Sequence, residues 1–258
     1  MNVKSLQDIV SVTRLYNYVQ IQPDKAVAFY EQNIMLSRSF YPLISVIEVA
    51  LRNAIDRNCI THFADPNWLI NQKPGFMSDR RLTYVNRLGI QKTNDFLKKS
   101  VEDAEKKIQK GGRPITHNAL VGELNFGFWT ELFQPTHYAL LQGTPIRAFP
   151  NLPKGIKRVN VFNILNEIRI FRNRVFHNEP ICFHAGFCGI QEPSRIRKQI
   201  NDVLSWLSPN IMTWLNGFED SSFELALMDR YASPGHNVFS KFYRFIVKIS
   251  HIGRTTFR

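Results

Sequence analysis

Apolar residues recur at intervals of three and four positions along most of the chain, which is the spacing of one face of an α-helix. No segment alternates apolar and polar residues between hairpin turns, and no internal repeat stands out. The pattern therefore predicts an all-α protein. We expect helices over residues 5–18, from Pro23, over 40–62, as one or two helices within 78–110, over 116–133, up to Pro180, from Glu192 and at 211–215.

The helix that leads to Pro180 carries the candidate chemistry. We expect it to end at this proline, because proline disfavours helical geometry in the residue before it. A turn of about 100° per residue puts these apolar residues on one stripe: Val161, Ile164, Leu165, Ile168, Phe171 and Val175. The opposite stripe is polar and consists of Asn166, Arg169, Asn173 and His177.

Arg172 does not fit this pattern. It lies only about 50° from the centre of the apolar stripe, where an unpaired charge is costly. Its guanidinium must reach water or meet a carboxylate or a phosphate. Glu48 borders the apolar face of the helix over 40–62, so we hypothesise that it faces Arg172 and holds it in place. A pair between Glu48 and Arg52, one turn apart, is the simpler interpretation.

Arg172, Asn173 and His177 thus meet near one helix end. Histidine titrates near neutral pH and arginine binds phosphate, so the group resembles a site that cleaves or holds a phosphodiester. A simpler explanation is that arginine and histidine are common near helix C-termini, because the dipole and the free carbonyls favour cations. Spacing alone leaves both explanations open.

The charge of the chain favours a polyanionic partner. It has 33 Lys and Arg against 21 Asp and Glu, a net charge of +12 and a pI near 9.8. This suggests nucleic acid first and an anionic membrane second, or a merely soluble basic surface. A basic, proline-containing connection over residues 134–160 leads straight into the helix. A basic loop beside an Arg/His site could grip an RNA backbone. Its Lys154, Lys157 and Arg158, with Arg174 in the helix, are our candidate RNA contacts, although the segment could equally be plain connecting chain.

We predict no metal, no cofactor and no membrane association. Cys182, His184 and Cys188 are metal-capable residues, but their spacing fits no standard zinc pattern. Three cysteines are a sparse set, as expected in a reducing compartment. The first residues lack the apolar core of a targeting signal, and no run approaches the length of a bilayer span. We therefore expect a cytoplasmic protein.

Four stretches resemble the Abi-like abortive-infection family of the AbiD/AbiF type. They are residues 30–37 (YEQNIMLS), 48–55 (EVALRNAI), 122–129 (GELNFGFW) and 165–181 (LNEIRIFRNRVFHNEPI). The resemblance covers about residues 5–215 in the order of the family. We therefore predict a domain over 1–218, followed by an aromatic and basic C-terminal extension over 219–258.

This family resembles the HEPN superfamily of helical ribonucleases, whose signature is an arginine, a polar residue and then a histidine. Arg172, Asn173 and His177 supply it here. The resemblance implies a HEPN-like helical bundle and an endoribonuclease that needs no metal. The ribose 2′-hydroxyl would attack the adjacent phosphate, leaving a 2′,3′-cyclic phosphate and a 5′-hydroxyl. His177 would transfer protons, Arg172 would neutralise charge on the phosphate, and Asn173 would orient the histidine or hydrogen-bond the phosphate. Glu48, Arg52 and Arg169 would support and orient them.

The resemblance also implies partners. HEPN proteins usually dimerise so that two signatures share one cleft, so we predict a twofold homodimer with the helix ends near residue 177 at the interface. RNA is the expected substrate, and a noncoding RNA or a small protein antitoxin is a plausible partner by analogy. Two alternatives stay open: a non-catalytic RNA-binding or sensor module, and a structural motif in which Arg172 pairs with Glu48 and His177 caps carbonyls.

Overall fold

The computed structural model describes residues 2–184, 187–218, 221 and 225–226. Within them the chain is all-α, as predicted, with two short antiparallel strand pairs. The helices are α1 (Val3–Val10), α2 (Val12–Ile21), α3 (Ala26–Ser39), α4 (Tyr41–Phe63), α5 (Trp68–Asn71), α6 (Phe96–Lys110), α7 (His117–Glu123), α8 (Phe126–Glu131), α9 (Pro135–Leu140), α10 (Arg158–Phe176), α11 (Gln191–Leu207) and α12 (Pro209–Leu215). The pairs are β1 (Thr83–Val85) with β2 (Gln91–Thr93) and β3 (Phe183–His184) with β4 (Phe187–Cys188). Short 3₁₀ turns lie at Pro23–Lys25, Phe76–Ser78, Arg80–Leu82 and Thr144–Ala148.

Two of the predicted helices are each split by a capping residue. Ser11 separates α1 from α2, and its side chain accepts a hydrogen bond from the backbone N–H of Arg14 at 3.3 Å. Asn125 separates α7 from α8 and accepts from the backbone N–H of Phe128 at 3.1 Å. Serine and asparagine are favoured here because their short side chains satisfy the N–H groups of a first helical turn. The continuous helices predicted over 5–18 and 116–133 were therefore wrong in detail.

Residues 78–110 form an α-helix only from Phe96 onward, with a 3₁₀ turn before it at Arg80–Leu82, so that prediction was also partly wrong. The preceding residues form the β1–β2 hairpin. The Asn86 side chain accepts hydrogen bonds from the backbone N–H groups of Leu88 and Ile90, both at 3.0 Å. Gly89 has a φ of +73°, which glycine adopts without strain. Each strand has only three residues, and nearly all are exposed, so no alternating pattern could reveal them.

The chain divides into two compact units, the first of residues 1–39, 178–195 and 220–258 and the second of 40–177 and 196–219. In the first unit, the buried ring of Tyr18 meets the rings of Tyr30 and Phe183 edge-on, with centroids 5.6 and 5.0 Å away. The Asn33 side chain, in a residue only 3% exposed, accepts hydrogen bonds from the backbone N–H groups of Ile181 (2.9 Å) and Cys182 (3.3 Å). Helix α3 thereby fixes the segment that begins at residue 178.

Helix α4 is central to the second unit. Its buried residues include Leu43, Ile44, Ile47, Leu51, Ile55 and Cys59. The helix packs against α8 and against the 3₁₀ turn Thr144–Ala148, and α8 also packs against α10. Burial, with the nearby charge of Asp56, raises the pKa of the Cys59 thiol, so this cysteine belongs to the core. The remaining faces of α4 carry the polar residues considered below.

Two expectations about the chain as a whole stay predictions. The predicted boundary at residue 218 is one, and apart from residues 221, 225 and 226 the extension over 219–258 lies outside the described residues. The cytoplasmic location is the other. Contrary to our expectation, one helical stretch, Pro23–Phe63, is long and apolar enough to cross a membrane by length and composition. This is a weak indication, because the core helices of soluble proteins meet the same criterion.

Candidate active site

Helix α10 presents the candidate residues on a well-packed support. Five of the six residues of the predicted stripe are buried, namely Val161, Leu165, Ile168, Phe171 and Val175, and Ile164 is half-buried. The helix ends at Phe176, one turn earlier than predicted from Pro180. Asn178 has a φ of +54°, and a left-handed residue ends a helix because its successors cannot continue the ladder.

Arg172 is held by a carboxylate and an aromatic ring. Its Nε donates to Glu48 Oε2 at 3.3 Å, and its guanidinium carbon lies 4.3 Å from the centroid of the Phe176 ring. The two charged side chains are 27% and 19% exposed, respectively. A cation over a ring face is attracted by the ring quadrupole. The contact that we hypothesised between Glu48 and Arg172 is thus present, and it fixes the guanidinium at the surface of the helix pair.

The guanidinium of Arg172 keeps N–H groups for a ligand. Its Nη1 makes one long hydrogen bond, of 3.4 Å, to Asn173 Oδ1. Its Nη2 has no hydrogen-bond partner among the described residues. A guanidinium held at one edge and open at another suits bidentate contact with a phosphate.

Arg52 is the second arginine beside Glu48, but it does not form the predicted simpler pair. Within the part of the chain that the structure describes, no ion pair joins Arg52 to Glu48. Arg52 Nη1 instead makes a long contact, of 3.4 Å, to the carbonyl oxygen of Gly122, and its buried Nε has no hydrogen-bond partner. A buried donor without a partner costs free energy that an anionic ligand would recover.

Asn173 and His177 lie one turn apart at the end of α10. The backbone N–H of His177 donates to the carbonyl oxygen of Asn173 at 2.9 Å, so His177 is the C-cap residue. Its side chain is exposed and Asn173 is half-buried. The structure therefore places Arg172, Asn173 and His177 at one exposed helix end, as expected from their spacing, and their catalytic roles stay predictions.

Two aromatic residues at this end were not predicted as part of the site. Phe176 supports the Arg172 guanidinium, and Tyr41, at the start of α4, lies 6.1 Å from Phe176 between ring centroids. Tyr41 is 58% exposed and Phe176 43% exposed. The spacing of four residues between Arg172 and Phe176 was the signal that could have identified this contact, since such pairs meet on a helix surface.

Arg169 is directed toward α8. Its Nε and Nη2 donate to Asn166 Oδ1, at 3.2 and 2.8 Å. A Cβ atom at Gly127 would lie 3.6 Å from the Cδ of Arg169, so the arginine stem passes close to this glycine. Among the described residues, Arg169 makes no hydrogen bond to Arg172, Asn173 or Glu48. Any influence on the signature residues would therefore be transmitted through the packing of α8 and α10.

The three candidate RNA contacts in the basic connection are one anchored arginine and two exposed lysines. Arg158 Nη1 donates to the carbonyl oxygen of Phe133 at 2.6 Å, whereas Lys154 and Lys157 are exposed. Burial raises the pKa of the Tyr138 hydroxyl, and the nearby charges of Arg158 and Arg147 oppose this shift. Both arginines therefore lie close to Tyr138.

Lys157 and Arg158 lie at the opposite end of α10 from the Arg/His group, and their role as RNA contacts stays a prediction. Lys157 is the N-cap of α10 and His177 is its C-cap. A helix of 19 residues separates its two ends by about 28 Å. Arg174 alone of the candidate RNA contacts lies near the signature, half-buried in the last turn. An RNA bound by all of these residues would have to follow the length of α10.

No metal centre is found in the described residues, where no three His, Cys, Asp or Glu side chains cluster. Cys182 is buried. The side chains of His184 and Cys188 lie outside what the structure describes. The expectation that the protein uses no metal therefore stays a prediction.

Comparison with known proteins gives one match. A family model described as Abi-like protein matches residues 3–182, which is well over half of the chain. The matched region contains all of α4 and α10 and thus Glu48, Arg172, Asn173 and His177. No curated protein and no solved structure matches the chain.

Proposed function

The chain belongs to the Abi-like protein family, which implies a role in abortive infection, and we propose that it acts there as a metal-independent endoribonuclease of the HEPN type. In this reaction the ribose 2′-oxygen forms a bond to the adjacent phosphorus and the bond to the 5′-oxygen breaks. The products are a 2′,3′-cyclic phosphate and a 5′-hydroxyl. The observation that carries the proposal is the half-buried guanidinium of Arg172, fixed by Glu48 and Phe176 near the end of a helix whose C-cap is an exposed histidine.

Arg172 would act on the phosphate. Charge accumulates on the phosphoryl oxygens as the new bond forms, and a cation that is already in position lowers the barrier because it needs no reorganisation. Glu48 and the ring of Phe176 hold the guanidinium, which is the support that a precise site requires. Asn173, bonded to Arg172 through its Oδ1, would orient the guanidinium or contact the phosphate.

His177 would transfer protons, because imidazole can act as acid or base near neutral pH. The reaction needs a base for the 2′-hydroxyl and an acid for the leaving 5′-oxygen. These two proton transfers are better served by two histidines than by one. We therefore propose a twofold homodimer that brings two copies of His177 to one cleft. The exposed rings of Tyr41 and Phe176 support this proposal, since they give the helix end an apolar surface suited to association.

The partners follow from the same proposal. The net charge of +12 would attract RNA by long-range electrostatics. A noncoding RNA or a small protein antitoxin would keep such a toxin inactive, and control of a toxin–antitoxin kind is therefore part of the proposal. RNA would meet Lys154, Lys157 and Arg158 at one end of α10 and Arg174 and the signature at the other.

The test is cleavage of RNA by the purified full-length protein in the presence of a chelator, with the product ends identified chemically. We expect cyclic phosphate and 5′-hydroxyl ends for the wild type. His177→Ala should cleave at least about 100-fold more slowly, since general acid–base catalysis contributes at least this factor. The variant should stay folded by circular dichroism because its side chain is exposed.

His62→Ala is the matched control, since His62 lies in the last turn of α4 as His177 lies at the end of α10. It should cleave like the wild type. Cleavage by His177→Ala at the wild-type rate, or cleavage that the chelator abolishes, would refute the proposal. RNA binding without any cleavage by the wild-type protein would favour the non-catalytic alternative.

A further inference from the structure

A polar cavity lies in the same unit as the candidate active site. Its volume is about 360 Å³, and it is bounded by α4, by the end of the 3₁₀ turn Thr144–Ala148 and by the junction of α11 and α12. Its polar lining consists of Asn53, Arg57, Asn58, Arg147 and Ser208. None of these residues belongs to the signature or to its supports.

The cavity opens on the opposite face of α4 from the candidate active site. On a helical wheel that turns about 100° per residue, Arg52 lies about 40° from Glu48, so these two residues share one face. Asn53 and Arg57 lie about 140° and 180° from Glu48 on the same wheel. A ligand in this cavity would therefore not contact Glu48 or Arg172, and the two sites are separate.

The cavity is lined by two arginines, Arg57 and Arg147, which are both exposed to solvent. Neither Arg57 nor Arg147 pairs with a carboxylate or donates a side-chain hydrogen bond among the described residues. The residues that line the cavity include no Asp or Glu. Because arginine matches the geometry of phosphate oxygens, two unpaired arginines that line one cavity suit an anionic ligand.

The volume of the cavity and its other lining residues indicate a ligand larger than inorganic phosphate. A volume of about 360 Å³ falls in the range of cavities that bind small organic ligands. Pro150, Leu207 and Ile211 give the cavity an apolar part. Asn58 Nδ2 donates to the carbonyl oxygen of Ala54 at 2.8 Å, which leaves its Oδ1 as an acceptor. Asn53 is exposed and adds a second amide, and amides are the groups that pair with base edges.

We propose that this cavity is a binding site for a nucleoside phosphate. Arg57 and Arg147 bind the phosphate, Pro150, Leu207 and Ile211 cover the base, and Asn53 and Asn58 contact its polar edge. The lining residues include no histidine, cysteine or carboxylate, so the site binds its ligand without reacting with it. The proposal is independent of RNA cleavage at the signature.

The experiment is isothermal titration calorimetry on the full-length protein with each of the four ribonucleoside 5′-monophosphates. Inorganic phosphate, the unphosphorylated nucleosides and a short RNA oligonucleotide are titrated in parallel. We expect one site per chain for at least one nucleotide, and at least tenfold weaker binding of its nucleoside and of inorganic phosphate. Arg57→Gln and Arg147→Gln should each weaken nucleotide binding at least tenfold.

Two further variants test whether nucleotide binding depends on the cavity itself and not on the total charge or on misfolding of the protein. Arg87→Gln removes the same charge from the exposed turn of the β1–β2 hairpin and should bind like the wild type. Ala50→Leu narrows the cavity at a half-buried position that it lines. It keeps every charge, and it should also lose binding while melting at the wild-type temperature.

Several results would overturn the proposal. They are the absence of binding by all four nucleotides, equal binding by Arg57→Gln, Arg147→Gln and the wild type, and binding of inorganic phosphate as tight as that of every nucleotide. If only the RNA oligonucleotide binds and the two arginine variants weaken it, the cavity is part of an RNA surface and the nucleotide proposal is also refuted.

Discussion

Two carboxylates of α4, those of Asp56 and Glu48, each contact side chains from other parts of the second unit. The two groups differ in their exposure to solvent. Asp56 Oδ1 accepts from Trp68 Nε1 at 2.7 Å and lies 2.9 Å from His117 Nε2. The Asp56 and His117 side chains are 13% and 9% exposed, and Trp68 is fully buried. Glu48 and Arg172 are more accessible, at 19% and 27%.

The comparison separates a structural group from a candidate catalytic one. Both Asp56 contacts end on buried rings, and among the described residues the Nδ1 of His117 is buried without a hydrogen-bond partner. The group is therefore closed to solvent. Arg172 has the same kind of carboxylate contact, yet its Nη2 lacks a partner in the described residues and His177 is exposed nearby. A charged pair can serve chemistry when it is fixed on one side and accessible on the other, and the two regions should respond differently to mutation.

The largest effect on stability is expected for Asp56→Ala. The substitution leaves the buried Trp68 N–H and the His117 ring without their acceptor, and buried groups without partners each cost about 1–3 kcal/mol. We expect the free energy of unfolding to fall by about 3 kcal/mol, measured by chemical denaturation.

Asp103→Ala is the control for that prediction. Asp103 pairs with Lys106 on the surface of α6, where both side chains are more than 70% exposed, at 73% and 74%. Its loss should change stability by less than about 0.5 kcal/mol. If the free energy of unfolding fell equally in Asp56→Ala and Asp103→Ala, the distinction between a buried network and a surface ion pair would be contradicted.

Glu48→Gln should have a smaller effect, and mainly on cleavage. The amide keeps an oxygen that can accept from Arg172 Nε, but it removes the charge that fixes the guanidinium. We expect RNA cleavage to fall about tenfold, in keeping with the loss of about 1.4 kcal/mol of transition-state stabilisation. The melting temperature should change little because the pair is partly exposed. If Glu48→Gln were as destabilising as Asp56→Ala and did not slow cleavage, the distinction between a structural Asp56 group and a catalytic Glu48–Arg172 pair would be contradicted.

The sequence predicts the buried stripe of α10 and the partner of Arg172 better than it predicts the boundaries of the helices. Arg172 stands out because it interrupts an apolar stripe, and a half-buried charge requires a partner, so Glu48 could be identified across 124 residues of separation. The buried stripe followed from the same periodicity. The end of α10 was misplaced because Asn178 adopts a left-handed conformation two residues before Pro180, and no pattern of apolar residues reports this.

Other features depend on contacts that a single sequence does not reveal. The Asp56–Trp68–His117 network joins residues that are up to 61 positions apart, and Asp56 reads as an ordinary helical residue. The nucleotide cavity forms where three separate segments meet. The distance between the basic connection and His177, by contrast, could have been derived from the length of α10 alone, since helix length follows from residue number.

The central claim is that Arg172 is placed for catalysis and is not merely part of the core. Its most direct test is Arg172→Gln, measured for both melting temperature and RNA cleavage by the folded protein. Glutamine can still donate to Glu48, so the fold should keep a melting temperature within a few degrees of the wild type. Cleavage should fall by about 100-fold or more, as expected for the loss of a fixed charge at a phosphate. A protein that melts as early as Asp56→Ala, and whose folded fraction cleaves RNA at the wild-type rate, would contradict the claim and make Arg172 a structural residue.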